Sequence, residues 1–303
     1  MNEKKLSIVI PTIGRTILDQ TIESALKQNV LPYEIVIWDN SGDGRAFKQS
    51  KYKDDSALKW CISEYKKDIV SSWNSAVECT SGEYVYILGD DDLLLPGFIE
   101  KTLQKLSEGA ELIHTTAQII DSNNAVIKDE KTGIQNDQIL SEWEFIDKHL
   151  NYYCDIYLGS LVFPREGYEK VGGFKNIVMN ALSMDILFNL EMVMLYGQIT
   201  VLAAPIWQYR KFVSDWCGAL KSKKDVPILI KQYSMLRKYM AQTRLIENKS
   251  LFALYERKGI LMTLVQLIYS YKKLQCFKLF YSKEFSLKER YYMTRDLFYL
   301  LRH

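Results

Sequence analysis

The stretch that most restricts how this chain can fold is Glu83 to Pro96, EYVYILGDDDLLLP. Tyr84 to Leu88 is an almost unbroken run of aromatic, β-branched and aliphatic residues, the pattern of a strand buried on both faces. Three carboxylates, Asp90, Asp91 and Asp92, follow Gly89, and Leu93, Leu94 and Leu95 come straight after them. Pro96 is placed to open a helix over Gly97 to Ser107. Adjacent carboxylates repel one another and lose solvation when half buried. A divalent cation relieves both penalties. Hard oxygen donors suit Mg2+ or Mn2+, which keep waters and share a phosphate-bearing substrate. An isolated Asp triplet is more often a solvated turn. Fused to a core strand and followed by an apolar run, it reads better as a metal–diphosphate site at the carboxyl end of that strand.

The residues before this stretch alternate between strand and helix patterns. Leu6 to Pro11 reads as a buried strand, Thr16 to Gln28 as a helix with Leu18, Ile22, Ala25 and Leu26 on one face, and Glu34 to Trp38 as a second strand. Leu58 to Ser63 is predicted as a third strand and Ser72 to Cys79 as a short helix. Such alternation with short connections implies an α/β unit with a mostly parallel sheet. Ligands bind such sheets at the carboxyl ends of the strands. The loops Pro11–Arg15, Asp39–Gly44 and Gly89–Asp92 all lie there, which points to one shared nucleotide-type site.

Further along, Glu111 to Ile120 is predicted as one strand, with Ala125 to Lys128 pairing back on it. Leu158 to Phe163 is predicted as a strand, Ser183 to Tyr196 as a helix, and Ile199 to Tyr209 as an edge-like strand carrying Pro205. From Ile228 the pattern is helical. The charge is uneven: Lys221 to His303 hold 18 Lys+Arg against 6 Asp+Glu, and the first 220 residues hold 21 against 31. An acidic front and a basic, Tyr-rich tail imply two regions, 1–215 and 216–303. The tail could lie on anionic lipid, where Lys and Arg attract and Tyr and Phe anchor, or form an oligomerising helical bundle. No nucleic-acid motif accompanies its charge, so nucleic acid is not expected as a partner.

Five unpaired-looking cysteines suit free thiols in a reducing cytoplasm, and three histidines make a His-rich zinc site improbable. The apolar part of the N-terminus is too short for a signal peptide, and Ile260 to Tyr271 too short to span a bilayer. The expected location is the cytoplasm, with peripheral attachment to the membrane's cytoplasmic face.

The segments IVIPTIGR, SALKQ, EIVIWDNSGDG, GEYVYILGDDDLLLPG and VFPREGYEKVGGF, followed by a helix with an acid at its start, resemble in this order the family 2 glycosyltransferases of GT-A fold. The resemblance covers roughly residues 5 to 215 and leaves the tail outside. It implies a Rossmann-like mixed, mostly parallel sheet flanked by helices. It also implies inverting transfer of a sugar from a nucleotide sugar, usually UDP-linked, with Mn2+ or Mg2+. The acceptor would be a hydroxyl of a glycan or lipid-linked oligosaccharide, in surface polysaccharide synthesis.

By that resemblance Pro11, Thr12 and Arg15 match the nucleotide-binding loop, and Asp39 the acid that meets the base. Asn74 stands where a small polar residue faces the nucleotide. Asp90, Asp91 and Asp92 match the metal motif, with Asp92 on the metal and Asp90 or Asp91 on the ribose. Asp185 falls where the catalytic base is expected. The sequence departs from the family in three places. Gly89 stands at the first position of the usual Asp-x-Asp-Asp, Met184 replaces the acid before Asp185, and the QxxRW of processive synthases is missing. The last implies one sugar per acceptor.

Other readings of these residues stand beside the resemblance. Asp185 is also a suitable first-turn acid for a helix, Asp39 a turn former, Arg15 a solvated loop cation and His114 a core residue. Tyr209-Arg210 is either a diphosphate contact or an ordinary edge-strand pair. The rival functions are a sugar nucleotidyltransferase, which would need a Gly-rich triphosphate loop that PTIGR does not supply, and a non-catalytic glycan-binding or scaffold protein.

Overall fold

The computed structural model of the chain describes residues 4–150, 153–177 and 184–211, together with Tyr291. The chain divides into two units, Met1–Lys221 and Ser222–His303. The expectations for the tail, its helices, its membrane attachment and its role in oligomerisation, lie outside the described residues.

The N-terminal half is the α/β unit that the alternation implied. Strands β1 (Leu6–Thr12), β2 (Glu34–Asp39), β3 (Leu58–Ile62) and β4 (Tyr84–Ile87) are parallel. Between them run α1 (Leu18–Leu26), α2 (Arg45–Gln49) and α3 (Ile69–Glu78). The central strands are apolar on both faces because helices cover both sides. Ile8, Val9, Ile10, Val36, Ile37, Val85, Tyr86 and Ile87 have no exposed surface. Helix α1 buries Leu18, Ile22 and Ala25 on one stripe. Helix α3 begins three residues earlier than its apolar pattern suggested, because Asp68 caps it, accepting from Ser71 N at 3.0 Å.

After β4 come β5 (Leu93–Leu94), α4 (Phe98–Ser107), β6 (Ile113–His114), β7 (Ala117–Ile120), β8 (Val126–Asp129), β9 (Gln138–Ser141) and α5 (Glu142–Leu150). Next are β10 (Leu161–Pro164), α6 (Arg165–Val171), α7 (Met184–Tyr196), β11 (Gln198–Val201) and β12 (Trp207–Arg210). The main sheet has the order β3-β2-β1-β4-β10-β6-β11-β9 and a smaller sheet the order β5-β12-β7-β8. In the main sheet β10 and β9 oppose the direction of the others, so it is mixed but mostly parallel.

Two predicted strands are each broken in two. Glu111–Ile120 becomes β6 and β7, and Ile199–Tyr209 becomes β11 and β12, with the halves in different sheets. The two segments leave the main sheet side by side. Leu202 N donates to His114 O at 3.1 Å before the break, and Ile206 N donates to Thr116 O at 3.0 Å after it. At the break, Thr115 Oγ1 donates to Gly159 O at 2.8 Å and Thr116 Oγ1 donates to Leu202 O. These bonds satisfy backbone carbonyls where the ladder stops. Strand β12 is therefore not an edge: it pairs with β5 on one side and β7 on the other. Pro205 sits in the crossing, where no ladder bond is required of it.

Two smaller expectations also change. Leu158–Ser160 is a 3-10 turn ahead of β10. There the bare Cα of Gly159 faces the Trp207 ring and the Tyr86 hydroxyl, about where a Cβ would approach both to 3.0–3.1 Å. Helix α4 opens at Gly97, whose φ of +86° turns the chain, rather than at Pro96. Strand β5, strand β9 and helices α2, α5 and α6 went unpredicted.

Candidate active site

Strands β1 and β4 are parallel neighbours, and the main sheet changes direction of growth between them, with β2 and β3 on one side and β10 on the other. Loops leaving the carboxyl ends of β1 and β4 meet over this switch point, where open α/β sheets bind ligands. Thr12 closes β1. Its Oγ1 donates to Asp90 Oδ2 at 2.6 Å and accepts from Gly14 N at 2.9 Å, so one hydroxyl ties the first loop to the acidic one. Arg15 reaches the same acids, with Nε 3.1 Å from Asp90 Oδ1 and Nη1 3.3 Å from Asp91 Oδ2.

Asp92 is held from the other sheet. Its Oδ1 accepts the amide of Arg210 at 2.8 Å. Arg210 Nε donates to Asp91 O at 2.6 Å, and its Nη1 donates to Asp121 O at 3.2 Å and to Asn124 Oδ1. The register explains the meeting: β12 pairs Gln208 with Leu93 and Trp207 with Leu94, which brings Arg210 level with Asp91. The leucines after the acids are thus the strand that joins the acidic turn to β12. Arg210 was left open between an edge residue and a diphosphate contact. It is instead 3% exposed and braces the acidic turn.

The three acids are not equivalent. Asp90 and Asp92 are buried, and Asp91 is the most open of the three. Burial is the main reason the Asp90 carboxyl is pushed up to about 6; the charge of Asp91 adds to this, while Thr12 and Arg15 oppose it. Burial, then the charge of Asp91, push Asp92 well above the usual carboxylate range, against the Arg210 amide. Gly89, the departure from the family motif, has a steric reason. A Cβ at that position would stand 2.6 Å from Asp92 Oδ2 and 3.2 Å from Asp91 Oδ1.

This donor set fits a hard divalent cation. It offers carboxylate oxygens whose burial and mutual repulsion are only partly offset by two arginines. Among the described residues no three Asp, Glu, His or Cys side chains form a ready-made cage for an ion. Water and phosphate oxygens would complete the coordination, as Mg2+ and Mn2+ commonly require.

The remaining sequence candidates have other surroundings. Pro11 lies in β1 opposite Trp38, and Thr12 opposite Asp39. Asp39 has no exposed surface; its Oδ1 accepts from Ser41 N at 2.9 Å and its Oδ2 from Phe47 N at 3.0 Å. As placed, it shapes the loop between β2 and α2. Asn40 straps the next loop, its amide bonding both Lys67 N and Lys67 O.

Asn74 ties α3 to a loop distant in sequence. Its Nδ2 donates to Phe174 O at 2.9 Å, and its Oδ1 accepts from Phe174 N and the Tyr168 hydroxyl, each at 2.9 Å. It therefore clamps the Gly172-Gly173-Phe174 loop, where both glycines have positive φ. Lys175 secures the same loop to α7 through Glu191 at 3.1 Å.

Asp185 lies in the first turn of α7, half-buried, with Oδ1 accepting from Ile186 N at 2.9 Å. Burial pushes its carboxyl up to about 6. That value suits a general base near neutrality, ionised yet able to take a proton. Asn74 lies in α3 and Asp185 in α7, whereas Thr12, Arg15 and the three acids form one bonded group. His114 is fully buried, with Nε2 3.3 Å from Glu130 Oε1.

Comparison with known proteins identifies the family. The family described as "Glycosyl transferase family 2" matches residues 7–161. A curated relative from Campylobacter jejuni, "GalNAc(5)-diNAcBac-PP-undecaprenol beta-1,3-glucosyltransferase", is 30% identical over 146 residues, 47% of this chain and 47% of the relative. An Escherichia coli relative, "UDP-Glc:alpha-D-GlcNAc-diphosphoundecaprenol beta-1,3-glucosyltransferase WfgD", is 27% identical over 131 residues, 42% of this chain and 51% of the relative. The chain thus spans about half the length of the curated relatives it matches. The crystal structure of Staphylococcus aureus TarS 1–349 with UDP-GlcNAc superposes with a TM-score of 0.61 at 15% identity, covering 94% of this chain and 77% of that one. That likeness shows a shared fold. From the family match and the acid-bearing switch point together, the chain belongs to glycosyl transferase family 2.

Proposed function

We propose that this chain transfers one sugar from a nucleotide sugar, UDP-linked, to a hydroxyl of a lipid-linked glycan, with inversion at the anomeric carbon. The observation that carries this reading is the Asp90–Asp92 turn, buried at the switch point and bonded on one side to the β1 loop and on the other to β12. Such a turn suits a divalent cation with a diphosphate bound to it. The choice of donor and acceptor is supported by relatives named for UDP-glucose and for diphosphoundecaprenol-linked acceptors.

In this mechanism Asp90, Asp91 and Asp92 would hold Mn2+ or Mg2+, with Asp92 assigned to the metal. When bound, the cation neutralises the charge that develops on the leaving diphosphate. Thr12 and Arg210 keep the acids in register from opposite sides. Asp185 accepts the proton of the attacking hydroxyl. Attack from the face opposite the leaving group inverts the anomeric configuration.

No helix among the described residues is long and apolar enough to cross a membrane. Access to a lipid-linked acceptor is assigned, on sequence grounds, to peripheral attachment of the basic tail to anionic lipid at the cytoplasmic face.

A thermal-shift panel of nucleotide sugars, with and without Mn2+, tests the reading. The true donor should raise the unfolding temperature only when Mn2+ is present, because a ligand that binds the native state stabilises it by mass action. A flat response to every nucleotide sugar with Mn2+ would remove the basis for the proposal.

A further inference from the structure

Among the described strands, β3 is an end strand of the main sheet, paired to β2 alone. Its two faces are used differently. Trp60 packs its ring against Phe47 of α2, with ring centres 5.3 Å apart. Lys59 and Cys61 alternate with Trp60 and so share the opposite face. Lys59 Nζ donates to Cys79 O at 2.7 Å, and Cys79 is the C-cap of α3. The C-terminal end of that helix therefore lies over the Lys59–Cys61 face. There the side chains of Cys61 and Cys79 meet in a hydrogen bond. Both are free, half-buried thiols.

Their surroundings make the two sulfurs unequal. Cys79 ends a helix, where the aligned peptide dipoles leave partial negative charge and disfavour a thiolate. The hydrogen bond to Cys61 and then burial hold its thiol well above the usual range, and Glu78 adds to this. Cys61 lies in a strand with Lys59 on its own face. Its thiol is pushed down to about 7, first by the hydrogen bond from Cys79 and then by Lys59, against burial and Glu34.

We infer that Cys61 and Cys79 form a thiol pair that a small-molecule disulfide converts into a reversible covalent clip between β3 and α3. The Cys61 thiolate attacks one sulfur of the small disulfide. That S–S bond breaks, one thiolate leaves, and a mixed disulfide forms on Cys61. Cys79 then loses its proton to solvent and attacks Cys61 Sγ, expelling the second thiolate. The two protein thiols are oxidised and the small disulfide is reduced to two thiols, which take up the two protons that the cysteines release. An excess of reducing thiol runs the same steps backward. The clip closes the segment from Cys61 to Cys79 and fastens the end strand to a helix that also packs on β1 and β2. It does not depend on the metal–diphosphate reading of the acidic turn.

The test treats the full wild-type chain, under native conditions, with oxidised glutathione. A tryptic digest made without reduction is read by mass spectrometry, since Lys66 and Lys67 separate the two cysteines. The expected product is a linked pair of peptides, Cys61 to Cys79, that dithiothreitol releases. The oxidised protein should melt about 5–10 °C above the reduced one, because the link removes loop freedom from the unfolded chain. In folded Cys79→Ser, glutathione should stay on Cys61 as a mixed disulfide. In folded Cys61→Ser, Cys79 should remain largely free. Links that run instead to Cys154, Cys217 or Cys276, or a glutathione cap left on wild-type Cys61 with no link, overturn the clip. A melting temperature unmoved by a confirmed link overturns its fastening role. Capping of Cys79 as readily as Cys61 in the two variants overturns the choice of Cys61 as the attacking thiol. The wild-type peptide map decides the pairing even where a variant does not fold.

Discussion

The amide of Arg210 donates to Oδ1 of Asp92 at 2.8 Å, across 118 positions of sequence, and this bond joins the two sheets at the acidic turn. The same residue's guanidinium satisfies the carbonyls of Asp91 and Asp121. Arg210→Ala leaves both without donors and should destabilise the protein by about 2–4 kcal/mol, as loss of a buried hydrogen-bonded charge does. Arg210→Lys should recover part of that loss, since a single ammonium cannot reproduce the planar contacts. Urea unfolding of the three proteins measures it. Equal stability of Ala and Lys variants with wild type would show that the brace is not structural.

Gly89→Ala should harm the site more than the fold. The added methyl would lie 2.6 Å from Asp92 Oδ2, and the other oxygen of that carboxylate is already fixed by Arg210. Something must shift, at about 1–3 kcal/mol. The expected result is Mn2+-dependent nucleotide binding weakened by about tenfold or more, with only a modest fall in melting temperature. Calorimetric titration of UDP with Mn2+ into both proteins checks it.

Asp90→Asn should stabilise the ligand-free protein. The folded carboxyl titrates at about 6 against an ordinary value of 3.8. A raised folded value means that the native state binds the proton more tightly than the unfolded chain does. The resulting stability is fully present below the ordinary value and is lost as pH rises through about 6. At pH 7 the charge therefore costs about 1–3 kcal/mol, which the neutral amide avoids while still accepting from Thr12. The melting temperature should rise by a few degrees at pH 7, with the difference from wild type shrinking toward pH 4. Metal-dependent activity should be lost.

Asp185→Asn should abolish transfer while leaving nucleotide binding intact. In wild type, kcat should fall as pH drops through about 6, where the half-buried carboxylate takes up its proton. A pH–rate profile with Mn2+ held saturating reads this directly. Normal turnover by the Asn variant would falsify the assignment of the base.

Asn74→Ala removes both bonds to the Phe174 backbone and one to Tyr168. The loop carrying Gly172 and Gly173 should loosen, at about 1–3 kcal/mol. Hydrogen exchange at Phe174 should accelerate in the variant, and Asn74→Asp should restore only the acceptor half of the clamp.

Much of the parallel half was legible because its signals are local. Leu6–Pro11 and Glu34–Trp38 are apolar runs of strand length, and each ends in a loop of turn-forming residues. The acidic turn was legible because it interrupts such a run. What escaped depends on partners distant in sequence. Leu93-Leu94 reads only as an apolar run ahead of a helix until β12 lies beside it. The breaks at Thr115-Thr116 and before Ile206 are invisible in hydrophobic pattern, since both halves of each strand are buried and only the sheet changes. Asn74 and Arg210 were placed on their elements, but their partners, Phe174 and Asp92, lie 100 and 118 positions away. Gly89 alone offered a sequence signal, a missing side chain in a motif that usually has one.

The crossing of residues 202–206 from one sheet to the other sets a strict length. Side chains along a strand alternate between faces, so adding or deleting one residue there would slide β12 by one place and turn its guanidinium to the opposite face. The acidic turn would then face Tyr209 or Lys211 in place of its brace. A short connector that touches no substrate thus behaves as a spacer cut to measure, and a change in its length would disable the centre more surely than most substitutions within it.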